Sequence, residues 1–564
     1  MKKIALTLLA ALTCIGLPAQ VIPHLAKVGN STCLIVDGAP MVLRCGELNN
    51  STASSIGYME EQRTFDRLKA LNLNSVIATA SWELVEPSEG QYRFDEVDYV
   101  IREARKRDMK VIFIWFGTFK NPFMTYAPSW VKQNPRKYPR AADESGKDLE
   151  LPSVWGEAVM KADARAYAAT LAHIREVDKD HTVVMMQIEN EPGLRGAARD
   201  YSRLAEKAWK ADVPAQLIQY LQDHAASLQP DLKKAWEDNG CKTRGDWETV
   251  FGKSLKEDDG TNPILNQTEH FFTAWAYARY LDYMAVEGKK AYALPTFTNA
   301  SVFGINSRGR SLGNGCSIPD FFDLYKAGAP NLDILTPNSY MQQLDQICEA
   351  FAWKGNPILI PESSVSGARG LYAVGEWDAI AFSPFGIDSW AAGVLEAPSA
   401  QQKLFSDSYL LLEQAGPLIR EHLGKPSMRG TYLYNGHAAD TLTVGDYVVT
   451  FGRGRSFDIG ALMAPATGGG PRPQAGPQAE PRFEGSAILI QTGKDEFYLM
   501  GYGVNAGFVL KDGVKSAFCG YDRIDEGRLE NGRFVPGRLL NGDERNAFLP
   551  DGKVTVLKIK LYHY

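Results

Sequence analysis

The sequence predicts an α/β protein built on an eight-stranded TIM barrel, with a long helical insertion after the fourth strand and a C-terminal all-β domain. From about residue 33 to 395, apolar runs rich in β-branched and aromatic residues alternate with helical patterns. After about Gly424 the helical patterns stop and short alternating runs take over. These two observations predict a barrel over residues 20–424 and a second domain over 425–564.

The barrel prediction rests on eight runs that are apolar throughout, as parallel strands buried on both faces should be. They are Met41–Cys45, Ser75–Ser81, Val111–Phe116, Val183–Ile188, Leu294–Asn299, Ile334–Pro337, Pro357–Ile360 and Ala379–Phe382. Amphipathic helices are predicted between them, at Tyr58–Leu71, Phe94–Arg107 and Ala162–Val177. A hairpin around Asp37-Gly38 is predicted to close the bottom of the barrel.

The connection between the fourth and fifth predicted strands is far longer than an ordinary loop. It spans residues 194–293, and its segments Leu217–Leu228 and His270–Val286 have helical periodicity. We therefore expect a helical insertion. Because it leaves the barrel directly after Glu191, it could wall a pocket, form a homodimer contact or act as a passive cap, and the sequence does not choose among these.

The C-terminal domain is predicted from short alternating strands separated by Gly and Asp. Thr441–Phe451, Ser486–Gln491, Glu496–Tyr502 and Val554–Tyr562 are examples. This pattern is typical of a β-sandwich. Carbohydrate-binding modules and inert packing domains share that fold, so the fold alone does not assign a role.

The N-terminal segment predicts export. Lys2 and Lys3 precede a short apolar run, Ile4–Leu17, and small residues follow at Ala19. This is the pattern of a cleaved signal peptide over residues 1–19, leading to the periplasm or the cell exterior. A lipid anchor at Cys14 is the less favoured alternative, because the residues before it fit a lipobox poorly. No other segment predicts a membrane span.

Composition excludes some function classes. The formal net charge is -6, and charged residues make up 23% of the chain, so no basic stripe suggests a nucleic-acid partner. Apart from Cys14, six cysteines are scattered without metal-ligand spacing, and the eight histidines are dispersed. We therefore expect neither a metal nor an organic cofactor.

Two of the predicted strands run directly into a carboxylate. Met185–Ile188 leads to Glu189-Asn190-Glu191, and Pro357–Pro361 leads to Glu362. Barrel enzymes build their active sites at the carboxyl ends of the strands. Two carboxylates on different strands are what hydrolysis of a glycosidic bond needs. The alternative for each is a structural acid that pairs with a lysine.

Three motifs in this order carry a family resemblance: W-x-x-x-E-P-x-x-G-x-Y-x-F from Trp82 to Phe94, then I-E-N-E ending at Glu191, then L-I-P-E ending at Glu362. Together they resemble retaining β-galactosidases of the large clan of (β/α)8 glycoside hydrolases, with family 35 nearest and family 42 second. The resemblance covers roughly residues 46–388. It implies an exo-β-galactosidase with Glu191 as acid/base, Glu362 as nucleophile and Asn190 at the sugar 2-hydroxyl, and the N-terminal segment predicts that this enzyme is secreted. That mechanism would place the two carboxyl groups about 5–5.5 Å apart.

Further candidates surround the two glutamates. Tyr340 is placed to hydrogen-bond the nucleophile, and Glu47 and Asn49 follow the first strand, where they could bind sugar hydroxyls. Trp115 and Trp390 are candidates for sugar contact. We expect structural roles for Glu189, which alternates away from Asn190, and for Trp82.

One departure from the family pattern weakens the inference of galactose. Many members carry an Ala-Glu pair at the end of strand three, whose acid holds sugar hydroxyls, whereas this chain has Trp115-Phe116-Gly117. Thr79 replaces a tyrosine that is usual on strand two. A β-glucosaminide, a β-glucoside or an α-L-arabinopyranoside is therefore an alternative substrate. A glycan-binding barrel without catalysis is a third reading, which the presence of both glutamates disfavours.

Overall fold

The computed structural model describes residues 21–253, 267–302, 313–454, 483–516 and 518–564. The predicted signal peptide, including Cys14, lies outside these ranges. Within them, no helix combines the length and the apolar character needed to cross a bilayer.

The strands before the C-terminal domain fall into a small hairpin sheet, a two-stranded ribbon and the barrel. In chain order they are β1 His24–Val28, β2 Ser31–Val36, β3 Ala39–Pro40, β4 Leu43–Arg44, β5 Ser75–Ser81, β6 Lys110–Lys120, β7 Arg140–Ala142, β8 Asp148–Pro152, β9 Val183–Asn190, β10 Thr296–Val302, β11 Ile334–Ser339, β12 Ile360–Ser363 and β13 Ala381–Pro384.

The barrel sheet contains eight parallel strands in the order β4-β13-β12-β11-β10-β9-β6-β5. It closes at Glu47, a short distance beyond β4, because Glu47 forms bridges to Ile77 on one side and to Phe385 on the other. Its interior is filled by fully buried apolar side chains, Ile112, Ile114 and Met185 among them. The predicted TIM barrel is confirmed.

The helices pack around the barrel and in the insertion. In chain order they are α1 Ile56–Glu61, α2 Thr64–Ala70, α3 Trp82–Val85, α4 Asp95–Arg105, α5 Ser129–Lys132, α6 Glu157–Val177, α7 Arg203–Trp209, α8 Ala215–Asp223, α9 Pro230–Asp238, α10 Trp247–Phe251, α11 Gln267–Ala291, α12 Phe322–Gly328, α13 Leu344–Phe351, α14 Gly367–Trp377, α15 Ile387–Trp390, α16 Ala400–Gln414 and α17 Gly416–His422.

Two helical predictions need correction. The helix predicted over 58–71 is two helices, α1 and α2, because Arg63 between them adopts a left-handed conformation with φ 50°. The predicted insertion is also too long at its C-terminal end. Helix α11 packs on α6 and against β9, so it is the barrel's own fourth helix, and the added helices are α7 to α10. Helix α8 contacts α12 and α10 contacts α11, on the outer surface of the barrel.

The predicted strand ends were placed too early on the second half of the barrel. Strand β11 continues through Asn338 to Ser339, and β12 continues through Glu362 to Ser363. Periodicity marks a strand by its apolar residues, whereas the backbone ladder continues into the polar residues at the carboxyl edge. Those polar ends carry the candidate site.

The C-terminal domain is two packed antiparallel sheets, as the alternating pattern predicts. Its strands are β14 Met428–Tyr434, β15 Ala439–Val444, β16 Tyr447–Arg453, β17 Glu484–Gly493, β18 Glu496–Tyr502, β19 Val504–Leu510, β20 Cys519–Glu530, β21 Arg533–Leu539, β22 Ala547–Leu549 and β23 Thr555–His563. One sheet has the order β14-β17-β18-β23-β20-β21 and the other β15-β16-β19-β22. Strands β14 and β17 pack directly on α14 of the barrel. The predicted loop at Ala464–Pro481 lies outside the described residues.

Candidate active site

Glu191 lies directly beyond the end of β9 and is 5% exposed. Glu189 and Glu191 both have positive φ, 59° and 49°, which is uncommon for residues with a side chain. Such conformations cost on the order of 1–3 kcal/mol each and persist where the surroundings enforce them. The I-E-N-E segment is therefore a distorted strand end that aims consecutive side chains in different directions.

Glu362 lies on β12 and is 6% exposed, and hydrogen-bond donors surround its carboxylate. The Tyr340 hydroxyl donates to Oε2 at 2.8 Å, which is the contact expected from the sequence. Asn299 Nδ2 lies 3.3 Å from Oε1. When the Asn190 amide is oriented with its oxygen toward Lys120 Nζ, at 2.9 Å, its nitrogen donates to Glu362 Oε1 at 3.1 Å. This orientation avoids facing an amide oxygen to a carboxylate and an amide nitrogen to an ammonium.

Two asparagines join the glutamates. Asn338 Nδ2 donates to Glu191 Oε1 at 2.7 Å, and Asn299 Oδ1 accepts from the Glu191 backbone N–H at 2.7 Å. Asn299 Nδ2 also lies 3.1 Å from Asn338 Oδ1. Sequence reasoning missed both residues, although Asn299 ends the fifth predicted strand and Asn338 directly follows the sixth, which is the same signal that drew attention to the glutamates.

The two carboxyl groups are electrostatically coupled. Burial and the charge of Glu191 raise the pKa of Glu362 to about 7, while Lys120 and the hydrogen bond from Tyr340 act in the opposite direction. A pKa raised by the charge of a neighbouring carboxylate belongs to the second ionisation of the pair. The pair therefore keeps one proton up to about neutral pH. Hydrogen bonds to a carboxylate favour its charged form, and Glu362 has the larger set of such donors.

Glu47 is a third buried carboxyl group, 1% exposed, beyond the end of β4. Its pKa is raised well above the ordinary range by burial and by the charge of Glu362, while Lys120 opposes the shift. Its Oε2 is buried without a hydrogen-bond partner among the described residues. An unsatisfied buried carboxyl oxygen costs about 1–3 kcal/mol, so it is a candidate to accept from a substrate hydroxyl.

Lys120, at the end of β6, is a buried cation beside these carboxyl groups and is 5% exposed. Its register partner on β9 is Asn190, after a register shift that follows Trp115. The shift makes the Gly117–Phe119 segment bulge out of the ladder. Sequence reasoning missed Lys120 because it placed the end of strand three at residues 115–117, before the bulge.

A buried acid pair holds this bulge in place. The carboxylate of Glu189 accepts from the backbone N–H groups of Gly117, Thr118 and Phe119 at 3.2, 3.0 and 2.8 Å. Asp163 on α6 accepts from the Thr118 N–H at 3.0 Å. Burial and the neighbouring Asp163 raise the pKa of Glu189 well above its ordinary value. Glu189 is therefore structural, as expected, and it fixes the segment that carries Lys120.

The prediction that Trp115 contacts substrate is wrong. Trp115 is fully buried on the helix side of the barrel wall, where its indole N–H donates to Asp163 at 2.7 Å and its ring packs against Tyr167. A side chain pointing outward from a barrel strand cannot reach the pocket at the strand ends.

The other candidates have structural partners. Asn49 donates from its backbone and side chain to Asp388, both at 3.0 Å, and so ties the first strand end to the last. Trp390 is half-buried and packs edge-on against Phe405. Trp82 donates to Glu86 Oε2 at 2.8 Å, and the expectation that it supports the fold agrees with its full burial. Substrate contact by Asn49 and Trp390 stays a prediction.

The described residues contain no group of three or more His, Cys, Asp or Glu side chains that could hold a metal ion. No disulfide joins the cysteines in these ranges.

Comparison with known families decides the relationship. The family model described as beta-galactosidase, that of glycoside hydrolase family 42, matches residues 59–350, more than half of the chain. The chain belongs to this family. The expected class is thus right, but the match is to the family that the resemblance placed second, and family 35 receives no support. A second model, a domain of unknown function (DUF5597), matches residues 405–549 of this family 42 member, a range that begins in helix α16 and includes most of the C-terminal domain.

Among solved structures, this family 42 member is similar to the β-galactosidase from the psychrophilic Marinomonas ef1, with 14% identity over 68% of this chain and 61% of the other, and a TM-score of 0.43. The β-galactosidase from Bacillus circulans sp. alkalophilus is 12% identical over 92% and 99%, with a TM-score of 0.47. The catalytic domain of a β-amylase from Paenibacillus polymyxa is 14% identical over 66% and 98%, with a TM-score of 0.45. The chain thus spans about three fifths of the Marinomonas protein. No curated protein matches the sequence.

Proposed function

We propose that this protein is an exported, retaining exo-glycosidase that removes terminal β-galactosyl residues from oligosaccharides or polysaccharide side chains. In this proposal Glu191 is the acid/base and Glu362 the nucleophile. The observation that carries it is the asymmetric pair of buried carboxyl groups. Glu362 accepts from Tyr340 and lies against further amide donors, whereas Glu191 accepts from Asn338.

The first step follows from this asymmetry. Glu191 donates its proton to the leaving oxygen while a Glu362 carboxylate oxygen attacks the anomeric carbon, so the C–O bond to the leaving group breaks as the glycosyl–enzyme ester forms. Tyr340 orients the attacking carboxylate through its 2.8 Å hydrogen bond. Water then attacks the same carbon, Glu191 takes the proton, and Glu362 leaves as a carboxylate, which gives net retention.

Asn190 completes the reaction centre in this proposal. Its amide lies between Lys120 and Glu362, so it is placed to donate to a sugar 2-hydroxyl beside the nucleophile. That hydrogen bond strengthens as charge develops on the ring in the transition state.

The charges of the site favour a neutral terminal sugar. Among the residues that the structure describes, Glu47, Glu191 and Glu362 are buried with a single buried ammonium, Lys120, beside them. A sugar carboxylate would add a further negative charge in a poorly solvated pocket, which is strongly unfavourable.

A second candidate exists for the identity of that neutral sugar. The family resemblance implies an acid at the end of strand three, whereas β6 ends here in Lys120, which offers donors where an acid would offer acceptors. This favours, as the second candidate, the same mechanism on a β-glucosaminide, a β-glucoside or an α-L-arabinopyranoside.

The test is hydrolysis of a panel of nitrophenyl α- and β-glycosides by the wild type, Glu191→Gln and Glu362→Gln. Glu83→Gln is a matched control, because Glu83 follows β5 but pairs with Lys132 and has a side chain that is 40% exposed. We expect kcat to fall by about 10²–10⁴ in Glu191→Gln, at least as far in Glu362→Gln, and little in Glu83→Gln. NMR of the first-formed anomer should show retention.

Azide distinguishes the two roles. In Glu362→Gly, azide should replace the nucleophile and give a glycosyl azide of inverted configuration. In Glu191→Gly it should intercept the ester and give the retained configuration. If a different glycoside is cleaved, and its cleavage depends on both Glu191 and Glu362, the mechanism is kept and galactose is discarded as the substrate sugar. Turnover that survives the loss of either glutamate would overturn the assignment.

A further inference from the structure

The most buried arginine among the described residues lies between the active-site strands and the C-terminal domain. Arg369, in the first turn of α14, is 0% exposed. Its Nη1 lies 3.2 Å from the Ser339 carbonyl oxygen and 3.3 Å from Ser363 Oγ. Ser363 Oγ in turn donates to the Ser339 carbonyl at 2.8 Å. The guanidinium thus joins the carboxyl ends of β11 and β12.

These two strand ends carry the nucleophile and its orienting group. Ser339 directly precedes Tyr340, Ser363 directly follows Glu362, and Ser339 and Ser363 are register partners. Any separation of the two strand ends would lengthen the 2.8 Å hydrogen bond between Tyr340 and Glu362. That bond acts on the charge of the nucleophile, since it lowers the pKa of Glu362.

The charge that allows Arg369 to be buried comes from the C-terminal domain. Among the described residues, its ion-pair partner is Glu484, the first residue of β17, at 3.4 Å. Two further groups fix that carboxylate: the Ser366 hydroxyl donates to it at 2.7 Å and the Tyr432 hydroxyl at 3.1 Å. Removing one partner of a buried ion pair leaves an uncompensated charge, which is strongly destabilising locally.

We propose that Glu484 of the C-terminal domain and Arg369 of the barrel are positioning residues for the reaction, which set the distance between Tyr340 and Glu362 through the ends of β11 and β12. The C-terminal domain then contributes to the active site through Arg369 and the ends of β11 and β12, without contacting substrate. This inference rests on the proposed function, because it assigns these residues to the geometry of the nucleophile.

The same interface supplies a matched control. Arg429 on β14 pairs with Glu376 on α14 through two short contacts, 2.6 and 2.9 Å. Glu376 lies near the C-terminal end of α14, about 10 Å along the helix from Arg369. Glu376→Gln therefore weakens domain packing through the same helix, away from the strand ends that hold Tyr340 and Glu362.

The experiment compares Glu484→Gln with Glu376→Gln in the full-length protein. We expect Glu484→Gln to lower kcat about tenfold with KM changed less than twofold, and to move the Glu362 titration to higher pH. Glu376→Gln should lower the melting temperature comparably while kcat and that titration stay unchanged. If the two variants change kcat and the titration alike, or if Glu484→Gln changes only the melting temperature, the positioning role is refuted.

The titration needs no substrate, which separates this test from that of the proposed function. Protein labelled with ¹³C at the glutamate carboxyl carbons is titrated by NMR, and Glu362→Gln assigns the signal. If the wild type cleaves no glycoside, the shift in Glu484→Gln still decides the positioning role. If Glu484→Gln does not fold, Tyr432→Phe removes one donor to Glu484 and should move the titration in the same direction by a smaller amount; an unmoved titration would overturn the proposal.

Discussion

Replacing Lys120 with methionine tests the electrostatics of the site most directly. The substitution removes the buried positive charge and keeps a flexible side chain of similar length to fill the space. Lys120 lowers the pKa of both Glu362 and Glu47. Without it, both carboxyl groups should hold their protons to higher pH.

The size of the effect follows from the contacts through Asn190. With Lys120 Nζ 2.9 Å from that amide and Glu362 Oε1 3.1 Å from its other end, the two charges lie within about 8 Å. Two unit charges at that distance interact by about 2 kcal/mol at an effective dielectric constant of about 20. This corresponds to a change of roughly 1 to 1.5 in the pKa of the pair.

The sign can be worked out for the activity profile. The reaction needs the pair with one proton, and in the wild type the last proton leaves near pH 7, so kcat/KM should decline as pH rises through about 7. In Lys120→Met this alkaline limb should move to higher pH by roughly 1 to 1.5 pH units. The measurement is kcat/KM on the best nitrophenyl glycoside from acid to alkaline pH.

Lys110→Met is the control for that experiment. Lys110 is the first residue of the same strand, and its ammonium donates to the His181 carbonyl at 2.8 Å, at the opposite end of the barrel. The strand separates it from the site by about 30 Å, well beyond the screening length at physiological salt. A limb that stays in place or moves to lower pH in Lys120→Met, or that moves equally in Lys110→Met, would refute the reasoning.

Three further substitutions test single side chains. The pKa of Glu47 is raised on folding, so the stability that this group contributes is lost as pH rises through that pKa. Glu47→Gln should therefore raise the melting temperature more at alkaline pH than at acid pH, while it lowers kcat/KM. A gain in melting temperature that does not depend on pH would contradict this. Tyr340→Phe removes a hydrogen bond to a charged group, typically about 1.5–3 kcal/mol, so kcat should fall about 10- to 100-fold; an unchanged kcat would remove Tyr340 from the mechanism. Trp115→Phe leaves Asp163 without its indole donor, so the free energy of unfolding measured in urea should fall by about 1–3 kcal/mol while KM stays unchanged. A large rise in KM would instead show that Trp115 contacts substrate.

Most of the barrel and both glutamates could be predicted because their signals are local. An apolar run that ends in a carboxylate is visible in a short window of sequence, and Glu191 and Glu362 were found in this way. Tyr340 was found because it follows the sixth predicted strand, the neighbour of the strand that leads to Glu362. Asn299 and Asn338 also lie at or directly after the ends of predicted apolar strands, but asparagine is common in ordinary turns, so its presence there does not indicate an active site.

Lys120 could not be found in this way because its position depends on distant residues. The bulge that brings it level with Asn190 is held by Glu189 on one neighbouring element and by Asp163 on another. Periodicity along strand three carries no trace of those contacts, since they join residues far apart in sequence. The wrong placement of Trp115 has the same origin: which wall of a barrel strand a side chain faces is set by the register with its neighbours.

The sequence by itself determined the order of strands and helices, the two-domain division and the pair of carboxylates, because apolar period and strand-end residues are properties of short segments. Only the tertiary structure decided which polar side chains surround those carboxylates and how charge is distributed among them. Burial and neighbouring charges set the ionisation of Glu47 and Glu362, and the same folding brought Glu484 of the second domain against Arg369 behind Glu362.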